Sequence, residues 1–272
     1  MLIGNTKIGG IGSLSIKNTY DADALAYLTA VEAADGQALE NSVKIAINTF
    51  VVGCKTDGIW DAIVASCIMA GARTYTGALV PLKGNAPTNN AFGSGDYSRK
   101  LGLLGDGTSK YLATGYNNNE SGSGQNFPQN DSHISCYVSA SQTNTTGTLV
   151  GTASGIGNRL VLRHGSATQI STQNRAITAS TLTLAPIGFQ GNTRNNSANF
   201  SRRFTTASGI SDATTTINSG AGSNELLGVF ATGAGATFSA ARMSFYSIGK
   251  SLTLSSLDSR VTTLMTTLNA LL

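Results

Sequence analysis

The sequence has few charged residues, and acidic residues are missing from its longest β-like stretch. Asp, Glu, Lys and Arg make up 12% of the 272 residues, about half of the ~25% that is usual in soluble domains. No acidic residue occurs between Asp131 and Asp212. Most sugar-cleaving enzymes need two carboxylates about 5–10 Å apart. The absence therefore argues against a glycosidase or an acid-dependent lyase.

Cysteine is also scarce. Cys54, Cys67 and Cys136 are an odd number of widely spaced residues, which is not the pattern of a disulfide framework. Cys54 and Cys67 have apolar neighbours, where thiols behave as small hydrophobic groups. A Cys54–Cys67 bridge is the less favoured alternative to two free thiols.

Basic residues exceed acidic ones only slightly, with a formal net charge of +4. Adjacent basic residues occur at Arg99–Lys100 and at Arg202–Arg203. Nucleic-acid binding usually requires a clustered basic face, so we expect no nucleic-acid partner. No apolar run approaches the ~18 residues of a membrane span, and the first residues lack the pattern of a secretory signal. We therefore expect no membrane insertion, and synthesis and assembly in a cytoplasm.

Motifs for nucleophilic, phosphate or metal chemistry are absent from the sequence. There is no Gly-x-Ser-x-Gly and no Cys-x-x-Cys, and no Gly-Lys-Ser/Thr follows the glycine-rich turns at 93–96 and 105–107. His133 and His164 are each interpreted as surface residues at the end of a strand. Asp106 lies between two glycines, where a plain turn is favoured over a calcium loop because few acids are nearby. The sequence predicts no catalytic residue, no cofactor and no metal ligand.

The sequence does contain clear helical patterns at both ends. Apolar residues recur at helical spacing in Asp21–Ala34, Leu39–Val52, Asp57–Ala70 and Ser255–Leu271. Trp60 is interpreted as a core anchor. These patterns predict a small N-terminal helical subdomain and a C-terminal helix that packs on it.

From Tyr75 the apolar pattern has a period of two, and clusters of Gly, Asn, Ser and Thr interrupt it. Ten short strands are predicted: 78–82, 110–112, 133–139, 148–152, 159–164, 181–184, 187–190, 199–205, 226–232 and 241–248. Their number and spacing predict a mainly β fold, an antiparallel two-sheet jelly-roll sandwich. The predicted domains are residues 1–18, an extended attachment arm; 19–73, helical; 74–250, the jelly roll; and 251–272, the terminal helix.

The first 18 residues have apolar side chains that glycine and small polar residues separate. These side chains are Ile3, Ile8, Ile11, Leu14 and Ile16. The segment is too rich in glycine for a stable helix and too apolar for a free tail. It is compatible with the first strands of the fold or with a tether. We predict an assembly arm that contacts a neighbouring subunit.

Two loops of the predicted sandwich are rich in asparagine, 116–130 and 192–196. Asparagine amides hydrogen-bond sugar hydroxyls, and a tyrosine ring can stack beneath a sugar. The predicted glycan or partner contacts are Tyr116, Asn118, Asn130, Asn192 and Asn195.

Several stretches resemble a module of phage and prophage virion structural proteins. The most specific are GIWDAI at 58–63 and GARTYTGALVPL at 71–82, and PIGFQGNTRNNSANFSRRF at 186–204 continues the match. The resemblance extends from about Thr19 to Leu272. In this family the C-terminal part is similar to concanavalin A-like, or laminin-G-like, jelly rolls.

The resemblance implies a non-enzymatic structural protein on the exterior surface of a tailed-phage virion, made in the host bacterial cytoplasm. A tail-fibre or receptor-binding appendage or adaptor is the first expectation. A capsid decoration (cement) protein is the alternative, and a polysaccharide depolymerase is less favoured. The expected partners are other virion proteins, copies of the same chain and a host surface glycan. A homotrimer is preferred, by analogy with phage surface proteins on threefold positions.

Overall fold

The computed structural model describes residues 20–118, 128–140, 146–152, 159–166, 169–183, 186–222 and 224–272. Within them, two antiparallel sheets lie face to face, and helices pack on the outer face of one sheet. This arrangement confirms the predicted fold class. None of the described helices has the length and apolar character needed to cross a bilayer.

The strands are numbered along the chain. They are β1 (Ile63–Ile68), β2 (Pro81–Lys83), β3 (Thr88–Asn90), β4 (Tyr97–Ser98), β5 (Gly102–Leu104), β6 (Tyr111–Asn117), β7 (Ser132–Ala140), β8 (Gly147–Gly151), β9 (Arg159–Ser166), β10 (Gln169–Ala176), β11 (Ser180–Leu182), β12 (Pro186–Arg194), β13 (Asn199–Thr206), β14 (Gly209–Thr216), β15 (Leu226–Val229) and β16 (Arg242–Gly249). Sheet A has the order β14-β13-β12-β7-β16-β1-β2, with β5 also paired to β16 and β4 to β5. Sheet B has the order β11-β10-β9-β8-β15-β6-β3.

Four helices accompany the sheets: α1 (Ala22–Asp35), α2 (Asn41–Thr56), α3 (Tyr75–Ala78) and α4 (Leu254–Leu271). The Asp21 side chain caps α1 by accepting from the Asp23 amide at 3.0 Å. Gly36 ends α1 with φ of +67°, a conformation that suits glycine. The predicted first, second and terminal helices are confirmed, with ends that differ by a few residues.

Two apolar cores lie on opposite faces of sheet A. Ile134, Cys136 and Val138 of β7 point into the space between the sheets. Phe189 and Phe245 belong instead to the core that joins α1, α2 and α4 to the sheet. Each fully buried apolar side chain of this size contributes about 1.5–3 kcal/mol to stability. The central strands of sheet A are therefore held from both sides.

The third predicted helix, Asp57–Ala70, is wrong. Trp60–Ala62 forms a single 3₁₀ turn, and Ile63–Ile68 is β1, which pairs with β16 and β2. Both faces of β1 are buried, so its sequence is apolar except for Ser66 and lacks the alternation of a half-exposed strand. A strand of sheet A therefore lies inside the range 19–73 that was predicted to be helical. Trp60 is buried in the helix-side core, as predicted.

The strand prediction also failed elsewhere. The strands β3, β4, β5, β10 and β14 were not predicted: the first three have only two or three residues each, β10 has a buried but largely polar sequence, and β14 is an exposed edge strand. The predicted strand 78–82 is instead the end of α3 followed by β2. The Thr74 side chain caps α3 by accepting from the Gly77 amide, which starts a helical turn where the apolar pattern indicates a strand.

The three cysteines are free and buried. Cys54 lies in the core between the helices and sheet A, and Cys67 lies in the core between the two sheets. Burial raises the pKa of each of these two thiols to about 12. They are therefore protonated at neutral pH, and the alternative Cys54–Cys67 bridge is not formed.

Carboxylates of the helical layer hold the loops of sheet A. Asp35 accepts from the Arg73 amide at 2.7 Å and from the Thr74 amide at 2.8 Å. Glu40 forms a bidentate pair with Arg99. The hydrogen bond from Arg99 lowers the pKa of Glu40 to about 2. These contacts fix the start of α2 against the chain that leads into α3 and β5.

His133 was interpreted as a surface residue, but it is fully buried. Its Nδ1 lies 2.5 Å from the carbonyl oxygen of Lys250, and its Nε2 lies 3.0 Å from Ser247 Oγ. Ser135 Oγ is 2.8 Å from the same hydroxyl. Burial lowers the pKa of His133 to about 4. A neutral ring that donates from Nδ1 and accepts at Nε2 satisfies this geometry.

The buried His133 predicts a stability that falls in mild acid. The unfolded histidine has a pKa of about 6.5, so the unfolded chain binds more protons as the pH falls below that value. The stability that depends on a neutral His133 is complete above pH 6.5. It is lost progressively as the pH falls to the folded pKa near 4. Between pH 6.5 and pH 4, we expect the free energy of unfolding of the wild type, measured in urea, to fall by roughly 1–3 kcal/mol more than that of His133→Gln.

His164→Gln is the control for this experiment and should keep the wild-type pH dependence. If His133→Gln lost stability as steeply as the wild type between pH 6.5 and 4, the assignment to His133 would be contradicted.

Candidate functional site

The described parts of the two asparagine-rich loops lie at one end of the sandwich, and residues 119–127 of the first loop lie outside the described residues. β6 ends at Asn117 and β7 begins at Ser132, while β12 ends at Arg194 and pairs with Ser132. A third segment, 217–222, runs between these loops. The Ser219 amide donates to the carbonyl oxygen of Ser197 at 2.8 Å. This loop end therefore combines three segments that are distant in sequence.

Arg194 holds the loop end together. Its Nε donates to the carbonyl oxygen of Asn174 at 2.9 Å, and its Nη2 donates to that of Ile217 at 3.1 Å. Its Nη1 donates to the carbonyl oxygens of Asn196 and Ser197 at 3.2 and 3.3 Å. One buried guanidinium thus fixes β10, the 195–198 turn and the segment after β14.

The guanidinium of Arg194 also lies 5.6 Å from the ring centre of Phe200, in a cation–π contact. Burial lowers the pKa of Arg194 from its ordinary value, but arginine stays charged in proteins. The backbone carbonyl dipoles therefore solvate this charge inside the fold.

A second buried arginine closes the inner side of the loop end. Arg175 has φ of +53°, and its Nη1 donates to the carbonyl oxygen of Asn118 at 2.7 Å. A Cβ at Gly222 would lie 1.5 Å from that oxygen and 1.7 Å from Arg175 Nη1. Only glycine fits at position 222 in this arrangement.

Polar side chains connect the two sheets below the loop end. Asn174 Nδ2 donates to Asn192 Oδ1 at 2.8 Å, and Ser132 Oγ donates to Asn174 Oδ1 at 2.9 Å. Asn192 Nδ2 donates to Thr172 Oγ1, which in turn donates to the carbonyl oxygen of Val161 at 2.7 Å. Buried polar groups that satisfy one another in this way rigidify the structure.

The structure separates the five predicted contact residues. Asn118 and Asn192 are fully buried, so they present no surface to a ligand. The Asn192 side chain lies between the sheets because its position in β12 faces inward, towards Thr172 and Asn174 of β10. Asn118 directly follows β6. The ring of Tyr116 packs on the inter-sheet core, and its hydroxyl faces the Asn85 amide at 3.4 Å. Burial removes Asn118 and Asn192 from the predicted contact surface, while Tyr116 is half-buried.

Asn130 and Asn195 are exposed on the loop end. Asn130 Oδ1 accepts from Ser219 Oγ at 2.5 Å, and Asn195 Oδ1 accepts from Asn196 Nδ2 at 2.8 Å. The Ser219–Ser197 backbone hydrogen bond connects the two neighbourhoods. Asn195 also lines a groove, described next.

A polar groove lies on the outer face of sheet A, between β12–β14 and the chain that enters α4. Its first part, of about 290 Å³, is lined by Thr193, Asn195, Asn199, Ser201, Ser251, Leu252 and Thr253. It continues for about 520 Å³ past Arg203, Asp212, Thr214 and Ser255. We call this feature the polar groove.

Outward-facing residues of β13 and β14 form the floor of the polar groove. Phe200, Arg202 and Phe204 are buried, so the alternate residue Ser201 faces outward and lies 3.0 Å from Thr214 Oγ1. The wall is fixed because the Leu252 amide donates to Thr193 Oγ1 at 3.2 Å. The alternation of apolar and polar residues in 199–204 could have identified the outward-facing floor residues from the sequence. The sequence could not show that the chain before α4 forms the wall of the groove.

Arg203 dominates the electrostatics of the polar groove. Its Nη1 lies 2.6 Å from Asp212 Oδ2, and its Nε lies 2.7 Å from Asp258 Oδ2 at the start of α4. Asp212 is the carboxylate that lines the groove, and it is engaged in this ion pair. The remaining lining is mainly hydroxyl and amide groups. Such a surface suits a neutral, hydrogen-bonding ligand.

The predicted turn at Asp106 is accounted for by its own hydrogen bonds. Partial burial favours a higher pKa for Asp106, but hydrogen bonds from Ser109, Lys110 and Thr108 hold that pKa well below its usual range. Within the described residues, no three His, Cys, Asp or Glu side chains lie together as a metal site would require.

No family model matches the chain, and no curated protein sequence matches it. Among solved structures, one similarity is to the binding domain of botulinum neurotoxin serotype D. The identity is 7% and the TM-score is 0.49, over 76% of this chain and 51% of that one. The chain therefore spans about half the length of the neurotoxin domain.

Two further similarities are to a GH54 α-L-arabinofuranosidase and to tailspike protein 2 of bacteriophage CBA120. The arabinofuranosidase is 10% identical with a TM-score of 0.40, over 58% of this chain and 41% of that one. The tailspike domain is 13% identical with a TM-score of 0.40, over 62% of this chain and 29% of that one. At these identities and TM-scores, the similarities assign no function to the chain.

Replacing Arg194 should loosen the loop end. Arg194→Lys keeps the charge but lacks the planar set of donors that reaches four carbonyl oxygens. Unsatisfied buried acceptors cost about 1–3 kcal/mol each, so we expect a loss of roughly 2–4 kcal/mol in the free energy of unfolding. Amide hydrogen exchange should accelerate most in residues 195–198 and 217–219.

Arg163→Lys is the control, because Arg163 is a partly exposed arginine on a strand of the other sheet. Unchanged exchange at both segments in Arg194→Lys would show that Arg194 does not hold them together.

Proposed function

We propose that this chain is a non-enzymatic structural protein on the outer surface of a tailed-phage virion, where it acts as a receptor-binding appendage or adaptor. The sequence resemblance supports the virion assignment. The observation that carries the binding role is the polar groove, whose neutral hydroxyl and amide lining matches the hydrogen-bonding pattern of a glycan. Asn195 contributes to this lining, and Asn130 lies on the same loop end.

The engagement of Asp212 supports a role without catalysis. Sugar hydrolysis by two carboxylates needs one group that donates a proton and a second that attacks or activates water. Asp212 lines the polar groove while paired with Arg203 at 2.6 Å. Asp258 is mostly buried behind the same arginine. Both carboxylates therefore serve to position Arg203.

A bulky side chain in the polar groove should abolish glycan binding. Thr214→Trp places an indole on the groove floor, while Thr181→Trp makes the same change at an exposed threonine on the edge strand of sheet B. On an array of bacterial capsules, lipopolysaccharides and teichoic acids, we expect the wild type and Thr181→Trp to bind the same glycan. Thr214→Trp should bind it at least about tenfold more weakly, since a blocked site loses its hydrogen bonds.

The same experiment tests the absence of catalysis. The bound polysaccharide should show no new reducing or unsaturated ends after prolonged incubation with the protein. Release of such ends by the wild type but not by Asp212→Asn would establish a depolymerase and overturn the non-enzymatic proposal. Silence on the array together with no adsorption to host cells would overturn glycan binding.

Capsid decoration is a second candidate location, and the apolar outer surface of the helical layer favours it. Leu25, Ile45 and Val52 are exposed there, which suits permanent attachment to other virion proteins or to further copies of this chain, with a trimer preferred.

Copy number per particle should distinguish the two locations. Quantitative mass spectrometry of purified virions, calibrated against the major capsid protein, should give tens of copies or fewer for a tail appendage, which is our expectation. Hundreds of copies would move the protein to the capsid. Absence from purified particles would contradict the virion assignment altogether.

A further inference from the structure

A second groove lies on the outer surface of the helical layer, between α2 and α4. It has a volume of about 320 Å³, and its lining is mainly apolar. Ile45 and Phe50 of α2 face Leu264 and Leu271 of α4 across it. Ile45 and Leu271 are 43% and 42% exposed. We call this feature the α2–α4 groove. It is separate from the polar groove.

The described chain begins beside this groove. Tyr20 Oη donates to Asn41 Oδ1 at 2.8 Å, and the Asp21 amide donates to Asn48 Oδ1 at 2.7 Å. Asn41 and Asn48 lie on α2, and Ile45 lies between them along the helix. The 19 preceding residues therefore join the structure on the exposed side of α2, next to one wall of the groove.

The sequence just before Tyr20 has the pattern of a strand with one apolar face. From Ser13 to Lys17, polar and apolar residues alternate, so Leu14 and Ile16 share a face in an extended conformation. Ser13 and Ser15 then face the other side. An extended chain of this kind can place two apolar side chains in a groove while its hydroxyls remain in water.

The distances along the chain fit. Tyr20 lies four residues after Ile16, and these four steps of extended chain reach about 13 Å. A helix with its side chains is about 10 Å wide, so this length carries the chain from the Asn48 side of α2 to the groove. Because the segment is tethered there, its effective concentration at the groove is of millimolar order.

We propose that Leu14 and Ile16 dock into the α2–α4 groove of their own chain. The groove then orients the base of the assembly arm, and Ile3 and Ile8 extend beyond it towards a neighbouring copy. The docking covers the exposed faces of Ile45 and Leu271. It involves a different surface from glycan binding, so it can fail or hold independently of the proposed function.

Hydrogen exchange on the purified full-length chain tests the docking. We expect amides in 13–18 to exchange roughly tenfold more slowly than in an unstructured peptide of the same sequence. Ile45→Asp places a charge in the groove wall and should remove this protection. Leu25→Asp is the matched control, because Leu25 is 50% exposed on α1, outside the groove. Both residues are exposed, so both variants should fold, as a cooperative thermal transition would show.

Full exchange of 13–18 in the wild type would overturn the docking, as would equal protection in Ile45→Asp and the wild type. A crosslinking experiment then identifies the chain that fills the groove. Leu14→Cys combined with Thr49→Cys, a groove residue, should form a disulfide within one chain. Leu14→Cys combined with Thr29→Cys, an exposed position on α1, should not form a disulfide. The three native thiols are buried.

Mixing chains of natural and heavy isotope content before oxidation separates docking within a chain from docking between chains. Disulfides confined to single chains support the proposal. Disulfides that join a light and a heavy chain would place a neighbour's arm in the groove and would overturn docking within the chain. Equal crosslinking to Thr49→Cys and Thr29→Cys would show an arm without a defined site.

Discussion

Burial of sheet A on both faces is the constraint on which the rest of the structure depends. β7, β16 and β1 lie between the helical layer and sheet B, and almost all of their residues are buried. Neither face of a sheet in this position is open to water, so its polar side chains must find partners inside the protein. The His133–Ser247–Ser135 chain is one result. Asp35 and Glu40 then attach the helical layer to the loops of the same sheet.

The polar groove lies where this covering is incomplete, and the α2–α4 groove lies on the outer surface of the covering layer. The polar groove opens where α4 begins and the helical layer gives way to the outer face of β13 and β14. The outward residues of β14 alternate with half-buried ones, as expected for an edge strand with one face in water. The α2–α4 groove is instead formed between two helices of the same layer. The architecture therefore offers a polar surface and an apolar surface that different partners can occupy at the same time.

The sequence predicted the sandwich and three helices because these elements have one exposed face. α1, α2 and α4 show a helical apolar stripe, and β6 and β13 alternate buried with half-buried residues. β1 escaped this reasoning because both of its faces are buried, which removes the periodicity. In the candidate site, Asn130 and Asn195 are on the surface, while Asn118 and Asn192 are inside. An asparagine in a strand does not reveal in its own sequence whether it faces water or a buried hydrogen-bonding partner.

The acid-poor stretch between Asp131 and Asp212 has a structural explanation that is independent of catalysis. Arg194 lies in this stretch, and its guanidinium binds four backbone carbonyl oxygens. Arg202 lies in the same stretch and binds Ser180 and Ser211 while it stacks on Phe204 at 4.7 Å. Neutral acceptors satisfy the donors of these arginines without a second buried charge, whose desolvation would cost several kcal/mol. The interior thus uses carbonyl and hydroxyl oxygens where other proteins use carboxylates, and the polar groove displays the same chemistry on the surface.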